Sequence, residues 1–153
     1  MPSYTYKDGE LVEIPDVVIT ESCELSEPIT VTVVIKAGAH VVSLAELTGS
    51  VNVESGASLD AKGHVMGTVN VAAHGEATFH QQASGTLNIS QGGRVRLTET
   101  CIALGTMNID GELVNEGVRG VQVHGTGTVE DRPGSTVRQP DETWPDGTVV
   151  YRG

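Results

Sequence analysis

The pentapeptide Gly67-Thr68-Val69-Asn70-Val71 decides the fold, because near-copies of it recur along the chain at an almost constant spacing. Four copies share the form Gly-[Ser/Thr]-apolar-Asn-[Val/Ile] and follow one another at steps of 18, 18 and 20 residues. The other three are Gly49-Ser50-Val51-Asn52-Val53, Gly85-Thr86-Leu87-Asn88-Ile89 and Gly105-Thr106-Met107-Asn108-Ile109. Related segments lie 20 residues before and after this run, at Ile29-Thr30-Val31-Thr32-Val33 and Gly125-Thr126-Gly127-Thr128-Val129. A repeat of this length indicates a solenoid.

Each repeat unit also contains a second short segment of β type after a glycine, such as Gly75-Glu76-Ala77-Thr78-Phe79. Val, Ile and Thr together make 45 of the 153 residues, and these β-branched side chains favour strands. A unit of 18–20 residues leaves no room for a crossover helix, so consecutive units are expected to stack. The sequence therefore predicts an all-β, single-domain parallel β-helix, or β-solenoid, of about six coils with terminal caps. A β-sandwich is the alternative, but it gives no reason for one pentapeptide to recur.

The alternation within each copy assigns its two faces. In the copy that begins at Gly67, Val69 and Val71 are expected to point into the core, whereas Thr68 and Asn70 point outward. Glycine is expected at the corners between strands because it accepts a positive φ without steric cost.

The ends of the chain differ from the repeats. We predict an N-terminal hairpin or cap with a first partial coil over residues 1–28, the solenoid over 29–137, and a C-terminal cap and strand over 138–153. Four of the five aromatic residues lie in these two flanks, namely Tyr4, Tyr6, Trp144 and Tyr151. The flanks either cap the ends of the solenoid or use their aromatic side chains as an interface.

Composition excludes several classes of partner. The 153 residues include 20 acidic and 9 basic side chains, for a formal net charge of −11. This charge opposes binding to nucleic acid or to anionic lipid. We find no apolar run long enough to span a membrane and no signal-peptide pattern at the start. Cys23 and Cys101 form no Cys-x-x-Cys motif, so we expect two free thiols and a cytoplasmic location.

The outward positions of the repeats form two ranks on one face, with about 4.8 Å between successive coils. These ranks resemble those of β-solenoid ice-binding proteins, and the resemblance implies a face that orders water. The alternative is structural, because stacked Thr and Asn side chains hydrogen-bond along a ladder and stabilise it. The predicted ranks are Thr30/Thr32, Ser50/Asn52, Thr68/Asn70, Thr86/Asn88, Thr106/Asn108 and Thr126/Thr128.

Motifs for catalysis or metal binding are missing from the sequence. Glu76, Arg94 and Glu112 are spaced 18 residues apart and predict a ladder of alternating charge that helps to fix register. His64 is expected between residues of the neighbouring coils, with no partner histidine at a metal-ligand spacing. No nucleophile or phosphate-binding motif occurs. We therefore expect no enzyme activity, no metal and no cofactor, with a degenerate carbohydrate-active β-helix as the enzymatic alternative.

Negative charge is concentrated near the start of the chain. Residues 1–60 hold ten acids and two lysines, whereas residues 61–153 hold ten acids and seven basic residues. Such an acidic region either favours docking on a basic protein surface or serves only solubility. The candidate partner-binding residues are Glu21, Glu24, Glu27, Trp144 and Tyr151.

From Ile29 to Val137 the chain resembles the short-coil β-helix of bactofilins, bacterial proteins that polymerise into scaffolds. The likeness is carried by Gly-x-apolar-x-apolar at steps of 18–20 residues, and it implies a self-assembling protein. The aromatic flanks depart from that family, because end-to-end polymerisation requires open ends, and a short basic or apolar membrane-attaching tail is missing. Our first hypothesis is an acidic inhibitor or immunity-type module that occludes a basic partner. A homo-oligomeric scaffold is the second hypothesis, and ice binding is the third.

Overall fold

The computed structural model describes residues 3–7, 10–14, 17–140, 142–145 and 149–150, and these residues form strands and turns without a helix. Side chains are described for residues 17–140 and 142–145. Parallel strands from successive segments stack as a β-solenoid of about seven turns. The predicted all-β, single-domain parallel solenoid is therefore confirmed.

Two parallel sheets of seven strands form two sides of the solenoid, and each coil contributes one strand to each sheet. The strands of the first sheet are Val17–Ile19, Val33–Ile35, Val51–Val53, Val69–Val71, Leu87–Ile89, Met107–Ile109 and Val123–His124. The strands of the second sheet are Cys23–Leu25, His40–Ser43, Ser58–Ala61, Glu76–Phe79, Arg94–Leu97, Glu112–Asn115 and Thr128–Asp131. We number the coils from one to seven in chain order, so that the first coil covers residues 17–32.

The third side of the solenoid is less regular. Isolated parallel bridges join Ile29 to Leu47, Leu47 to Val65 and Val65 to Ala83. The later coils form a short parallel sheet with the strands Ile102–Ala103, Val118–Arg119 and Thr136–Val137. Outside the coils, Ser3–Lys7 pairs with Glu10–Ile14, and Glu142–Thr143 pairs with Val149–Val150, both in antiparallel orientation.

The core fills the space between the three sides with small and branched side chains. Val69 and Val71 are buried while Asn70 between them is exposed, as the alternation predicts. The equivalent valine, leucine, isoleucine and methionine side chains of coils two to six are buried in the same way. Phe79, the only phenylalanine, lies fully buried among them.

The glycines that begin the repeats are required by close packing of neighbouring coils. A Cβ on Gly67 would lie 2.0 Å from the carbonyl oxygen of Gly49, and a Cβ on Gly85 would lie 2.3 Å from that of Gly67. None of these three residues has a positive φ. The sequence predicts a positive φ as the reason for these glycines, and that explanation is wrong at the corner before the first sheet. It is correct at the corner between the first and second sheets, where Gly38 and Gly56 have φ values of 85° and 80°.

The two terminal repeats are in a different register from the one predicted. Val33, not Val31, pairs with Val51, so Thr30 leaves the outward ranks and Thr32 lies level with Ser50 instead of Asn52. The sequence predicts Thr32 in the rank of the asparagines, and this is wrong because it lies in the rank of Ser50. The cause is the continuous alternation through this segment, because a shift of two residues keeps every side chain on its face.

The last repeat is displaced as well. Met107 pairs with Val123 and Asn108 pairs with His124, a step of 16 residues where the sequence predicts 20. Thr128 pairs with Glu112 in the second sheet, and the backbone N–H of Thr126 donates to Asp110. Thr126 and Thr128 therefore do not belong to the outward ranks of the first sheet, and the coils number about seven instead of about six.

Candidate functional site

Glu21, Glu24 and Glu27, which we call the acidic collar, lie along one side of the first coil. Glu24 lies on the second sheet, where it pairs with Val42 of the second coil. Glu21 precedes that strand at a corner, and Glu27 follows it on the way to the third side. All three are exposed, and none makes an ion pair with another described residue. The collar thus runs along the second-sheet side of the first coil and the two bends that bound that side.

Next to the collar, the inward side chains of the first coil are incompletely buried. Cys23 occupies the inward position that Val41 fills in the second coil, yet Cys23 is exposed and Val41 is fully buried. Leu25 and Ile29 are half-buried and border a depression of about 320 Å³ together with Glu24 and Glu27. Acidic and apolar side chains therefore lie next to each other at this end.

Trp144, one aromatic member of the predicted partner site, is not brought to the collar. Trp144 follows the seventh coil in the chain, is 49% exposed, and donates its indole N–H to Glu142 at 3.0 Å. No described contact joins Trp144 to Glu21, Glu24 or Glu27. Tyr151 lies outside the described residues, as do Tyr4 and Tyr6 at the level of their side chains.

The middle of the predicted outward ranks is in register, and its asparagines form a continuous ladder. The side-chain amide of Asn70 donates to Asn52 at 2.8 Å, that of Asn88 to Asn70 at 2.8 Å, and that of Asn108 to Asn88 at 2.7 Å. Ser50, Thr68, Thr86 and Thr106 precede these strands at equivalent positions. The amides thus satisfy one another along the stack.

The predicted charge ladder is present on the second sheet. Arg94 pairs in register with Glu76 and Glu112, and its Nε lies 3.9 Å from a carboxylate oxygen of Glu112. Arg96 in the same strand makes a bidentate contact with Glu116, in which its Nε and Nη2 donate to the two carboxylate oxygens at 3.2 and 2.8 Å. This hydrogen bond raises the pKa of Arg96 and lowers the pKa of Glu116.

A change in turn length produces a depression that the sequence analysis missed. In coils two to five, a two-residue turn protrudes at the corner between the first and second sheets, and it contains Gly38, Gly56, His74 or Gly92 at a positive φ. Coils six and seven cross this corner more directly. A depression of about 580 Å³ results, and His74, Glu76, Arg94, Asp110 and Glu112 lie around its glycine-rich floor. The sequence does contain a signal for this depression, in the number of positions from the last inward residue of the first-sheet strand to the first inward residue of the second-sheet strand. This number falls from six between Ile89 and Val95 to four between Ile109 and Leu113.

The seventh coil ends the core with polar groups. Asn115 and Asp131 occupy the column that Phe79 and Leu97 fill in earlier coils. Asn115 is fully buried and donates to Asp131 at 3.0 Å, while Arg119 makes two contacts of 2.8 Å with the same carboxylate. The hydrogen bond from Arg119, supported by that from Asn115, lowers the pKa of Asp131.

The histidines and cysteines have structural surroundings. His64 lies between Glu46 and Gln82 in register, as predicted, and its Nε2 is 2.8 Å from the hydroxyl of Ser84. His80 contacts Asp60. In the described part of the chain no three His, Cys, Asp or Glu side chains are grouped as a metal site. Burial raises the pKa of the Cys101 thiol to about 12, whereas Cys23 is exposed.

Among the described residues there is no helix that could cross a membrane. Comparison with known proteins found no matching family model, no matching curated protein and no matching solved structure. The resemblance to bactofilins therefore remains one of repeat pattern.

Proposed function

We propose that this chain is a non-enzymatic binding module whose acidic collar engages a basic surface of a partner protein and occludes it. The observation that carries the proposal is the position of Glu21, Glu24 and Glu27 along the side of the first coil where Leu25 and Ile29 are only half-buried. Unpaired carboxylates attract a cationic partner at long range, and the half-buried Leu25 and Ile29 supply apolar contact area.

Pairing of five cations with carboxylates in the other coils supports this choice of surface. Lys36 pairs with Glu54 at 3.1 Å, and Arg132 pairs with Glu130 at 3.1 Å. The contacts of Arg94, Arg96 and Arg119 with carboxylates are of the same kind. Local neutralisation in the later coils leaves the first coil, which contains no Lys or Arg, as the most strongly acidic part of the solenoid.

Register argues against end-to-end self-assembly as the main role. A second copy that continued the sheets onto the first coil would place its Glu130 beside Glu24, because both residues belong to one column of the second sheet. It would also place its Asp131 over Leu25. Like charges opposite each other and a carboxylate above apolar side chains both disfavour that contact.

The asparagine ladder argues for a structural role of the first sheet's outer face. Each internal amide already donates to one neighbour and accepts from another. Such a ladder stabilises stacked strands, and it leaves fewer free amide groups for ordering water.

Charge reversal of the collar tests the proposal. Replacing Glu21, Glu24 and Glu27 together by Lys is expected to weaken binding of a labelled lysine oligomer by about tenfold or more at low salt. The matched control replaces Glu46, Glu76 and Glu99, exposed carboxylates of other coils, by Lys and is expected to change affinity by about twofold or less. Affinities come from fluorescence anisotropy over a range of salt concentrations.

Equal losses in the two triple variants would show that only net charge matters and would contradict the collar as a site. Filaments in electron micrographs of the unmodified chain, in place of particles near 16.0 kDa or a small multiple of it, would favour the scaffold instead.

A further inference from the structure

We propose that the partner binds the first coil by adding a β-strand to the open edge of Cys23–Leu25, and that this strand carries a basic side chain between two apolar ones. The proposal rests on the proposed function and specifies how the basic partner is recognised. Three observations carry it: an unpaired strand edge, uncovered core side chains, and the position of Glu24 between them.

The strand Cys23–Leu25 is the terminal strand of the second sheet. Its inner edge is satisfied by the second coil, since the backbone N–H of Leu44 donates to the carbonyl of Leu25 at 2.8 Å. In a parallel ladder alternate residues direct their backbone groups to opposite sides. The N–H and C=O of Glu24 therefore face away from the second coil, toward the unpaired edge. The hairpin of residues 3–7 and 10–14 forms a sheet of its own and is not a neighbour of this strand in the sheet order.

The inward side chains of this strand show what a covering coil would do. The column of Leu25 continues through Ser43, Ala61 and Phe79, which are no more than 1% exposed because a coil lies on each side of them. Leu25 is half-buried and Cys23 is exposed. Two apolar side chains from an added strand would extend these columns and remove that surface from water.

The first sheet offers a poorer edge at the same end. Ile19 in its terminal strand is already 8% exposed, and the outward residue of that strand is Val18, which carries no charge. Only the edge of the second sheet combines uncovered inward positions with an outward carboxylate in the described first coil.

The alternation of side chains along a strand determines which sequence pattern the partner strand must have. A residue opposite Glu24 has its side chain on the outer face, beside the carboxylate, while its two neighbours face the core. Opposite charges at directly paired positions stabilise a sheet, and Glu21 and Glu27 add long-range attraction for the same cation. The fitting segment is therefore apolar–Lys/Arg–apolar in extended conformation. The recognition mode is β-strand addition, in which backbone hydrogen bonds supply affinity and alternate side chains supply specificity.

Three labelled peptides test the pattern against the intact chain. The first has the sequence Val-Lys-Val-Lys-Val, and the second has the same composition in blocks (Val-Val-Val-Lys-Lys). The third is the first peptide with N-methyl groups on the backbone nitrogens of its valines, because in a strand that continues this parallel sheet the residues on either side of the lysine bond to Glu24. We expect the alternating peptide to bind about tenfold more tightly than either of the others, because only it has both the pattern and the ladder N–H groups. Equal affinities for all three would overturn strand addition while leaving an acidic binding surface in place. Failure of every cationic peptide to bind would overturn the proposed function as well.

The thiols report where the peptide lies. Cys23 is exposed, whereas Cys101 is buried with its pKa raised to about 12 and serves as an internal control. The bound alternating peptide is expected to slow alkylation of Cys23 by about tenfold at saturation and to leave Cys101 unreactive throughout. Saturation without slower alkylation of Cys23 would place the peptide elsewhere and overturn the assignment.

Two substitutions at one position separate charge from backbone pairing. Glu24→Gln removes the charge and keeps the N–H, whereas Glu24→Pro removes both. Proline is tolerated where an edge N–H faces outward. We expect Glu24→Pro to weaken binding by about tenfold beyond Glu24→Gln, with circular dichroism confirming that each variant folds. Equal affinities of two folded variants would overturn the backbone contact, and the N-methylated peptide gives the same test if Glu24→Pro does not fold.

Discussion

Glycine at the repeat corner is the residue on which stacking of the coils depends most directly. Gly67 approaches the preceding coil so closely that even a methyl group would penetrate a carbonyl oxygen. The corner turn that contains His74 is different, because neighbouring coils have glycine at this position and His74 has a φ of 63°. One column is limited by space and the other by backbone conformation.

Gly67→Ala is therefore expected to lower the free energy of unfolding by about 2–4 kcal/mol, because backbone of two coils must move apart. The matched control is His74→Gly, which relieves an unfavourable left-handed conformation but adds entropy to the unfolded chain. We expect the control to change stability by about 1 kcal/mol or less. Denaturant unfolding monitored by circular dichroism measures both, and a similar small effect at Gly67 would show that the coils have room to spare.

The asparagine ladder predicts a graded response along its length. Asn88 donates one side-chain hydrogen bond and accepts another, whereas Asn52 at the end of the ladder only accepts one from Asn70. A net contribution of about 0.5–1.5 kcal/mol per hydrogen bond implies that Asn88→Ala destabilises the fold about twice as much as Asn52→Ala. Urea unfolding of the two variants measures this ratio. Equal losses would mean that strand propensity, and not the ladder, accounts for the effect.

At the scale of the strand and coil, the central repeats could be predicted from the sequence and the terminal ones could not. Between Gly49 and Ile109 each corner glycine marks a unit, and all four asparagines lie in register. Near Val33 the alternation continues without a break, so a slip of two residues has no cost in burial. Near Val123 the shorter turn moves the last strand forward, because turn length and not the face pattern sets that register.

The polar end of the seventh coil carries a prediction about pH. Arg119 and Asn115 lower the pKa of Asp131, so this carboxylate stabilises the fold above its ordinary pKa and the stabilisation is lost as pH falls through the lowered value. Asp131→Asn is expected to lower the thermal midpoint at neutral pH, with the difference from the unmodified chain narrowing in acid. Glu46→Gln, at an exposed carboxylate outside any described ion pair, is the control and should change the thermal midpoint at neutral pH less than Asp131→Asn does. A constant gap for Asp131→Asn at all pH values would contradict the linkage.

At the scale of the whole molecule, the two ends of the stack are chemically different. Charge counts along the sequence predicted an acidic region in residues 1–60, but they could not show that Glu21, Glu24 and Glu27 lie along a side of the coil whose inward side chains are uncovered. That arrangement depends on which corner each residue occupies, and corner positions follow from register. The uncovered Leu25 was equally hidden, since nothing in the local sequence distinguishes a buried leucine from one at the end of a stack.

The exposed first coil also has a consequence for local stability. An internal coil packs against two neighbouring coils, whereas a terminal coil packs against one. In the first coil, the inward side chains of Cys23 and Leu25 are also not fully buried. Local opening of the first coil therefore costs less free energy than opening of an internal coil. A partner that binds only the closed form raises that free energy by mass action. Binding at the collar thus stabilises a terminal coil, so that recognition and the integrity of that end depend on the same contacts.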